Sequence, residues 1–255
     1  MIKKSLSQNF LIDHNIAKKI ANLITNYSSY NLIEVGPGYG FLTDHLLKKN
    51  PKKIILIEKD YHLFIKLKNK YKNINKIKIY NFDALKTDIF DKIKKPKVIV
   101  SNLPYNISIK LITNWLPNIK EYLGFHLMIQ KEVSEKFKYS EQKKINRLNL
   151  LAYLYSDFRK EFDVSQNVFF PKPKVLSSVV TFTPNIKSKI NPNEFKNFTR
   201  ILFATKRKKI LNNLLRNNNY KNILLKKNMN DLDLEKRPED LNFNDVIKLY
   251  TSLTG

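Results

Sequence analysis

Short, nearly unbroken apolar runs recur through the first half of the chain, at residues 31–35, 53–58, 76–81, 97–102 and 124–130. Runs this short and this rich in Ile, Leu and Val predict strands buried on both faces. Stretches with helical spacing lie between most of them, notably 41–49, 61–71 and 108–115. Repeated strand–helix units predict a parallel sheet covered by helices on both sides. Such sheets bind ligands beyond the carboxyl ends of their strands.

The pattern changes after residue 130. Residues 131–139 and 147–155 predict helices, and 161–168 and 175–182 predict strands. Pro171-Lys172-Pro173 lies between those strands, forbids helix and suits a tight connection, so the pair predicts an antiparallel hairpin at the sheet edge. Residues 184–192 read as a linker. Beyond it Phe195, Phe198, Ile201, Leu202, Leu211, Leu214 and Leu215 recur at helical spacing and predict one apolar face. A final helical stretch covers 239–253. The expected architecture is α/β, with a sheet domain over 1–184 and a small all-α domain over 185–255.

Composition narrows the function classes. The 255-residue chain has no cysteine, so disulfides and thiolate metal sites are excluded. Its four histidines show no ligand spacing, and no metal is expected. Met1 is followed by Ile-Lys-Lys without an apolar segment, and no apolar run is long enough to span a bilayer. A soluble, cytoplasmic chain is expected. The formal net charge of +25 favours a polyanionic partner. Abundant Lys, Asn and Ile also suit an A- and T-rich genome, so placement of the charge carries more weight than its sum. Residues 195–230 hold ten Lys and Arg and no acid, which points to phosphate binding.

Three of the five glycines fall in Glu34-Val35-Gly36-Pro37-Gly38-Tyr39-Gly40, between a predicted strand and a predicted helix. Backbone there must approach a ligand more closely than a Cβ permits. The spacing G-x-G-x-G puts Phe41 where a dinucleotide site has its third glycine, and no Lys-Ser/Thr pair makes a P-loop. Glu58 ends the next strand, at the separation that lets a carboxylate accept from ribose hydroxyls. Asp83 follows the third strand and is placed to accept from an adenine amine. An adenosine-bearing cofactor without pyrophosphate fits best, and S-adenosylmethionine is the candidate.

Asn102-Leu103-Pro104-Tyr105 follows the fourth strand. An adenine amine is a poor nucleophile because its lone pair is delocalised into the ring. Acceptors on its N–H groups draw the nitrogen toward a tetrahedral shape. The Asn102 side-chain oxygen and the Leu103 carbonyl are the candidate acceptors, Pro104 fixes the turn, and Tyr105 stacks on the base. In-line attack on a sulfonium methyl needs positioning more than a general base.

With these segments in hand the chain resembles the KsgA family of small-subunit ribosomal RNA adenine dimethyltransferases. The likeness runs through Leu6-Ser7-Gln8-Asn9-Phe10-Leu11, the glycine loop, Ile57-Glu58, Asp83-Ala84-Leu85 and Asn102 to Ser108. It continues through 128–133, Phe169-Phe170-Pro171-Lys172-Pro173-Lys174-Val175, Ser177-Ser178, Arg207-Lys208-Lys209 and 237–241. The resemblance implies a Rossmann-like methyltransferase sheet with a helical, basic RNA-binding C-terminal domain. It implies transfer of methyl groups from S-adenosylmethionine to N6 of two adjacent adenosines in a hairpin near the 3′ end of small-subunit (16S) rRNA. Dimethylation rests on the resemblance alone. It further implies that Gln8, Asn9 and Leu11 line the cofactor cleft, with Gly36 and Gly38 beside the methionine portion. Glu58 would hold the ribose, Asp83 with Ala84 the adenine, and Asn102 both cofactor and target. Phe169 would sandwich the flipped adenine opposite Tyr105. The partner would be small-subunit rRNA or a pre-30S particle, and the chain a monomer.

Four positions depart from the family pattern. Ser7, Phe82 and Asn146 stand where glycine is usual, and Lys206 where a second arginine is common. Two alternatives remain open at this level. One is a large-subunit rRNA adenine methyltransferase of the antibiotic-resistance type. The other is a ribosome-assembly factor with little turnover.

Overall fold

The computed structural model describes residues 9–86, 88–187, 190–205, 207–226 and 233–254. The chain divides into two compact units, one drawn from 1–135 and 156–185, the other from 136–155 and 186–255. The helical segment 136–155, assigned from sequence to the sheet domain, therefore groups with the C-terminal residues.

The first unit starts with β1 (Phe10–Leu11) and α1 (His14–Asn22). Then β2 (Asn31–Val35), α2 (Phe41–Leu47), β3 (Lys53–Glu58), α3 (Tyr61–Lys70) and β4 (Ile77–Asn81) alternate as predicted. They are followed by α4 (Asp88–Asp91), β5 (Lys97–Asn102), α5 (Tyr105–Trp115), β6 (Gly124–Gln130) and α6 (Lys131–Phe137). After α7 (Arg147–Tyr155), the strands β7 (Ser156–Val164), β8 (Phe169–Phe170) and β9 (Ser177–Pro184) complete the sheets.

Among the described residues the main sheet has seven strands in the order β4-β3-β2-β5-β6-β9-β7. The five strands from β4 to β6 are parallel, and β9 and β7 add an antiparallel edge. The predicted hairpin is there with a shifted register. Residues 161–168 are not one strand, because β7 starts at Ser156 and a short 3₁₀ turn occupies Gln166–Val168. That turn releases Phe169-Phe170 to pair with β1 in a separate two-stranded ribbon.

Strand order reverses at β2, whose neighbours are β3 and β5. The carboxyl ends of β2 and β5 therefore frame the crevice in which ligands of such sheets bind. Ser101 of β5 donates its hydroxyl to the Val35 carbonyl of β2 and ties the two ends together. Leu32, Ile33, Ile54, Leu56, Ile99 and Val100 are buried. Each such side chain contributes about 1.5–3 kcal/mol, and together they hold the strand ends in place. Helix entries are fixed by caps: Asp13 Oδ1 accepts from Ile16 N–H at 2.9 Å, and Asp60 Oδ1 from His62 N–H at 2.9 Å.

In the second unit α7 is joined by α8 (Pro192–Leu202), α9 (Ile210–Leu214), α10 (Asn218–Lys226) and α11 (Phe243–Thr254). Phe195, Phe198 and Leu202 are buried, and Tyr250 of α11 packs edge-on against both phenylalanines at 5.2 and 5.3 Å. Leu215, expected on the apolar face, is exposed because it follows the end of α9.

Candidate active site

The glycine loop runs directly off the β2–β3 ladder. Gly36 donates its N–H to the Ile57 carbonyl at 2.9 Å. Gly36, Gly38 and Gly40 have φ of +67°, +60° and +78°, a region other residues enter with strain. Space is closed as well. A Cβ on Gly38 would lie 2.7 Å from the Phe10 ring, and one on Gly40 2.2 Å from the Tyr71 hydroxyl.

Beside this loop lies a cavity of about 340 Å³. Its walls include Asn9 and Leu11 from the N-terminal segment, Gly36 and Gly38 from the loop, and Glu58 from the end of β3. Asp83 and Ala84 from the turn after β4 and Asn102, Leu103, Pro104 and Tyr105 after β5 complete them. Residues from four strand ends thus converge on one space. Gln8 lies outside the described residues. Phe169 does not line the cavity. Register with β1 pairs it with Leu11 and turns it into the apolar core at 3% exposure, while Phe170 is 62% exposed.

Glu58 is 6% exposed. Its Oε1 accepts from Asp60 N–H at 2.8 Å and its Oε2 from Gly38 N–H at 3.3 Å. Burial raises its pKa, and those two backbone donors work against the rise. Asp83 Oδ2 accepts from Lys59 Nζ at 2.9 Å and Oδ1 from Leu85 N–H at 3.0 Å. The Lys59 hydrogen bond is the main cause that holds the Asp83 carboxyl below its ordinary value.

Asn102 is oriented by its amide nitrogen, which donates to the Asn9 carbonyl at 3.1 Å. Its Oδ1 is buried and has no hydrogen-bond partner among the described residues. An orphaned acceptor in a cavity wall costs stability until a donor reaches it. Tyr105 is tied by its hydroxyl to Ser177 Oγ at 2.6 Å. A wider groove of about 520 Å³ shares Asn9, Tyr105 and Asn106 with the cavity and extends along Gln130 and residues 172–175.

Sequence reasoning gave no role to Glu34, although a lone acid in the run Leu32-Ile33-Glu34-Val35 is itself a signal. Glu34 lines the cavity at 2% exposure and accepts from Thr43 Oγ1 at 2.7 Å. Burial pushes its pKa up to about 8, with the Thr43 hydrogen bond opposing. Folding therefore takes up a proton at Glu34 between its ordinary 4.5 and about 8. The stabilisation is full below that window and is lost as pH rises through it, with a slope approaching about 1.4 kcal/mol per pH unit. Urea titrations across this range should show Glu34→Gln gaining stability relative to wild type as pH rises. A constant difference would show that Glu34 is already ionised in the folded chain.

Among the described residues no cluster of three or more His, Cys, Asp or Glu is arranged to hold a metal, and no helix is long and apolar enough to cross a membrane.

Comparison with known proteins agrees with the geometry. A sequence model of ribosomal RNA adenine dimethylase matches residues 1–254. The ribosomal RNA small subunit methyltransferase A of Wolbachia sp. subsp. Brugia malayi (strain TRS) is 41% identical over 83% of both chains. The protein of the same name from Pelagibacter ubique (strain HTCC1062) is 37% identical over 99% of this chain and 98% of its own. A dimethyladenosine transferase from Plasmodium falciparum has a similar structure, with TM-score 0.72 and 30% identity over 96% of this chain and 97% of its own. The 23S rRNA methyltransferase ErmE shares the fold, with TM-score 0.64 at 19% identity over 97% of this chain and all of its own.

Proposed function

The chain belongs to the ribosomal RNA adenine dimethylase family, and from that premise we propose that its cavity holds S-adenosylmethionine while Asn102 receives the target amine. The chain is an rRNA adenine dimethyltransferase of the small-subunit type. Its substrate is read as two adjacent adenosines of a hairpin near the 3′ end of 16S rRNA, free or in a pre-30S particle. The enzyme is read as a cytoplasmic monomer whose C-terminal residues contact RNA.

The residues suit the cofactor. The glycine loop runs through left-handed backbone where a Cβ would strike Pro104, Phe10 or Tyr71, so bare backbone forms this wall of the cavity, and Glu58 keeps further lone pairs for ribose hydroxyls. Asp83, steadied by Lys59 and Leu85, faces the cavity at the turn where an adenine amine would lie. When bound, S-adenosylmethionine supplies an electrophilic methyl group on a sulfonium centre. This chain's own work is positioning. Asn102 Oδ1 accepts one N–H of the target amine, and the Leu103 carbonyl is the second acceptor. Tyr105, anchored on Ser177, offers a fixed ring face for stacking, and the groove past Asn106 gives the flipped base its approach.

The orphaned Asn102 oxygen carries this reading, since its chemistry calls for an N–H donor. Mass spectrometry after incubation with labelled cofactor tests it. Dimethyladenosine is expected in small-subunit RNA and none in large-subunit RNA. The reverse would favour the antibiotic-resistance type, and ribosome binding without methylation would favour an assembly factor.

A further inference from the structure

Arg147 opens α7 in the second unit, and its Nε is buried without a hydrogen-bond partner among the described residues. Helix α8 packs on α7 and carries Lys196 and Arg200 four residues apart, on one face. Burial, and after it the charge of Arg200, lowers the pKa of Arg147. Burial, and after it the charge of Arg147, does the same at Lys196. None of the three side chains forms an ion pair with a described residue. Three cations thus share one field without an acid among them. Both the like-charge repulsion and the unmet buried donor cost stability in the free protein. An anion with several acceptor oxygens would relieve all three. Arginine is the side chain whose planar fork meets a phosphate by two parallel hydrogen bonds.

We propose that Arg147, Lys196 and Arg200 form a seat for a backbone phosphate of the substrate RNA, made by residues that do not line the cofactor cavity. Lys196 and Arg200 belong to the acid-free stretch 195–230, but Arg147 comes from a distant part of the sequence and joins them only through helix packing. The seat rests on the reading that this chain acts on RNA.

The test uses the full chain and small-subunit rRNA. Lys196→Ala/Arg200→Ala removes two charges, one at half-buried Lys196 and one at exposed Arg200. RNA binding should weaken about 5- to 50-fold near 0.1 M salt, and the slope of log K against log salt should fall by about 0.7–0.9 for each phosphate that the variant no longer neutralises. KM for RNA should rise with kcat within about twofold, and binding of S-adenosylhomocysteine should not change. Arg147→Gln should lower the slope likewise, and Arg147→Lys should recover part of the affinity, since it restores the charge without the fork. A wild-type chain that methylates RNA normally while the double variant keeps its slope and KM overturns the seat alone. So does stabilisation by inorganic phosphate with the RNA slope unaltered, which marks a free-anion site. A wild-type chain that does not methylate the RNA overturns the activity, and the seat with it.

Discussion

Asn102→Ala is expected to lower kcat by at least about 100-fold, the range found when one preorganised polar group is removed from a reacting centre. Binding of S-adenosylhomocysteine and of RNA should stay within a few-fold of wild type. The reason lies in the two ends of one amide. Its nitrogen is held by the Asn9 carbonyl, so the side chain is already aimed, and its buried oxygen, on a residue that lines the cavity, has no donor among the described residues. Alanine removes the acceptor and leaves the surrounding strands unchanged. The loss should therefore fall on the chemical step. Single-turnover methylation with saturating RNA and cofactor reads that step directly. A variant that keeps more than about a third of wild-type kcat would assign the amide a merely structural part.

Gly40→Ala should have the largest effect on stability, about 2–3 kcal/mol, from left-handed strain of roughly 1–2 kcal/mol and a displaced hydrogen bond of about 1 kcal/mol. The φ at Gly40 is +78°, and a Cβ there would lie 2.2 Å from the Tyr71 hydroxyl. That hydroxyl lies 2.9 Å from the Gly40 carbonyl and 2.7 Å from Asp44 Oδ1, and so pins the start of α2 to the end of α3. In a chain of this size the melting temperature should drop by roughly 4–12 °C. Adding Tyr71→Phe should return part of the loss, because it removes the oxygen that the new methyl group strikes. An unchanged melting temperature in Gly40→Ala would mean that the loop can relax freely.

The positions of the main parallel strands were legible because each is a short apolar run between turn signals, and run length with Ile, Leu and Val content decides strand against helix there. Glu58, Asp83 and Asn102 were found as residues that follow such runs. What stayed hidden depends on pairing at a distance. Nothing local to Phe169 says that it will face Leu11 of β1, since that pairing joins segments more than 150 positions apart. The start of β7 at Ser156 was obscured by its own polar pattern, Ser156-Asp157-Phe158-Arg159-Lys160-Glu161, which is tolerable only in an edge strand. Glu34 was passed over because it sits inside an apolar run, where a carboxyl reads as an interruption. Arg147 shows the same limit, since its partners belong to a different helix.

The central measurement is a crystal structure of the chain with S-adenosylhomocysteine and an adenosine-bearing RNA fragment. The expected result is an unstacked adenine against the Tyr105 ring, its N6 within about 3.2 Å of Asn102 Oδ1, and the nucleoside of the cofactor product at Glu58 and Asp83. An adenine bound elsewhere, with Asn102 Oδ1 paired to a protein donor, would contradict it.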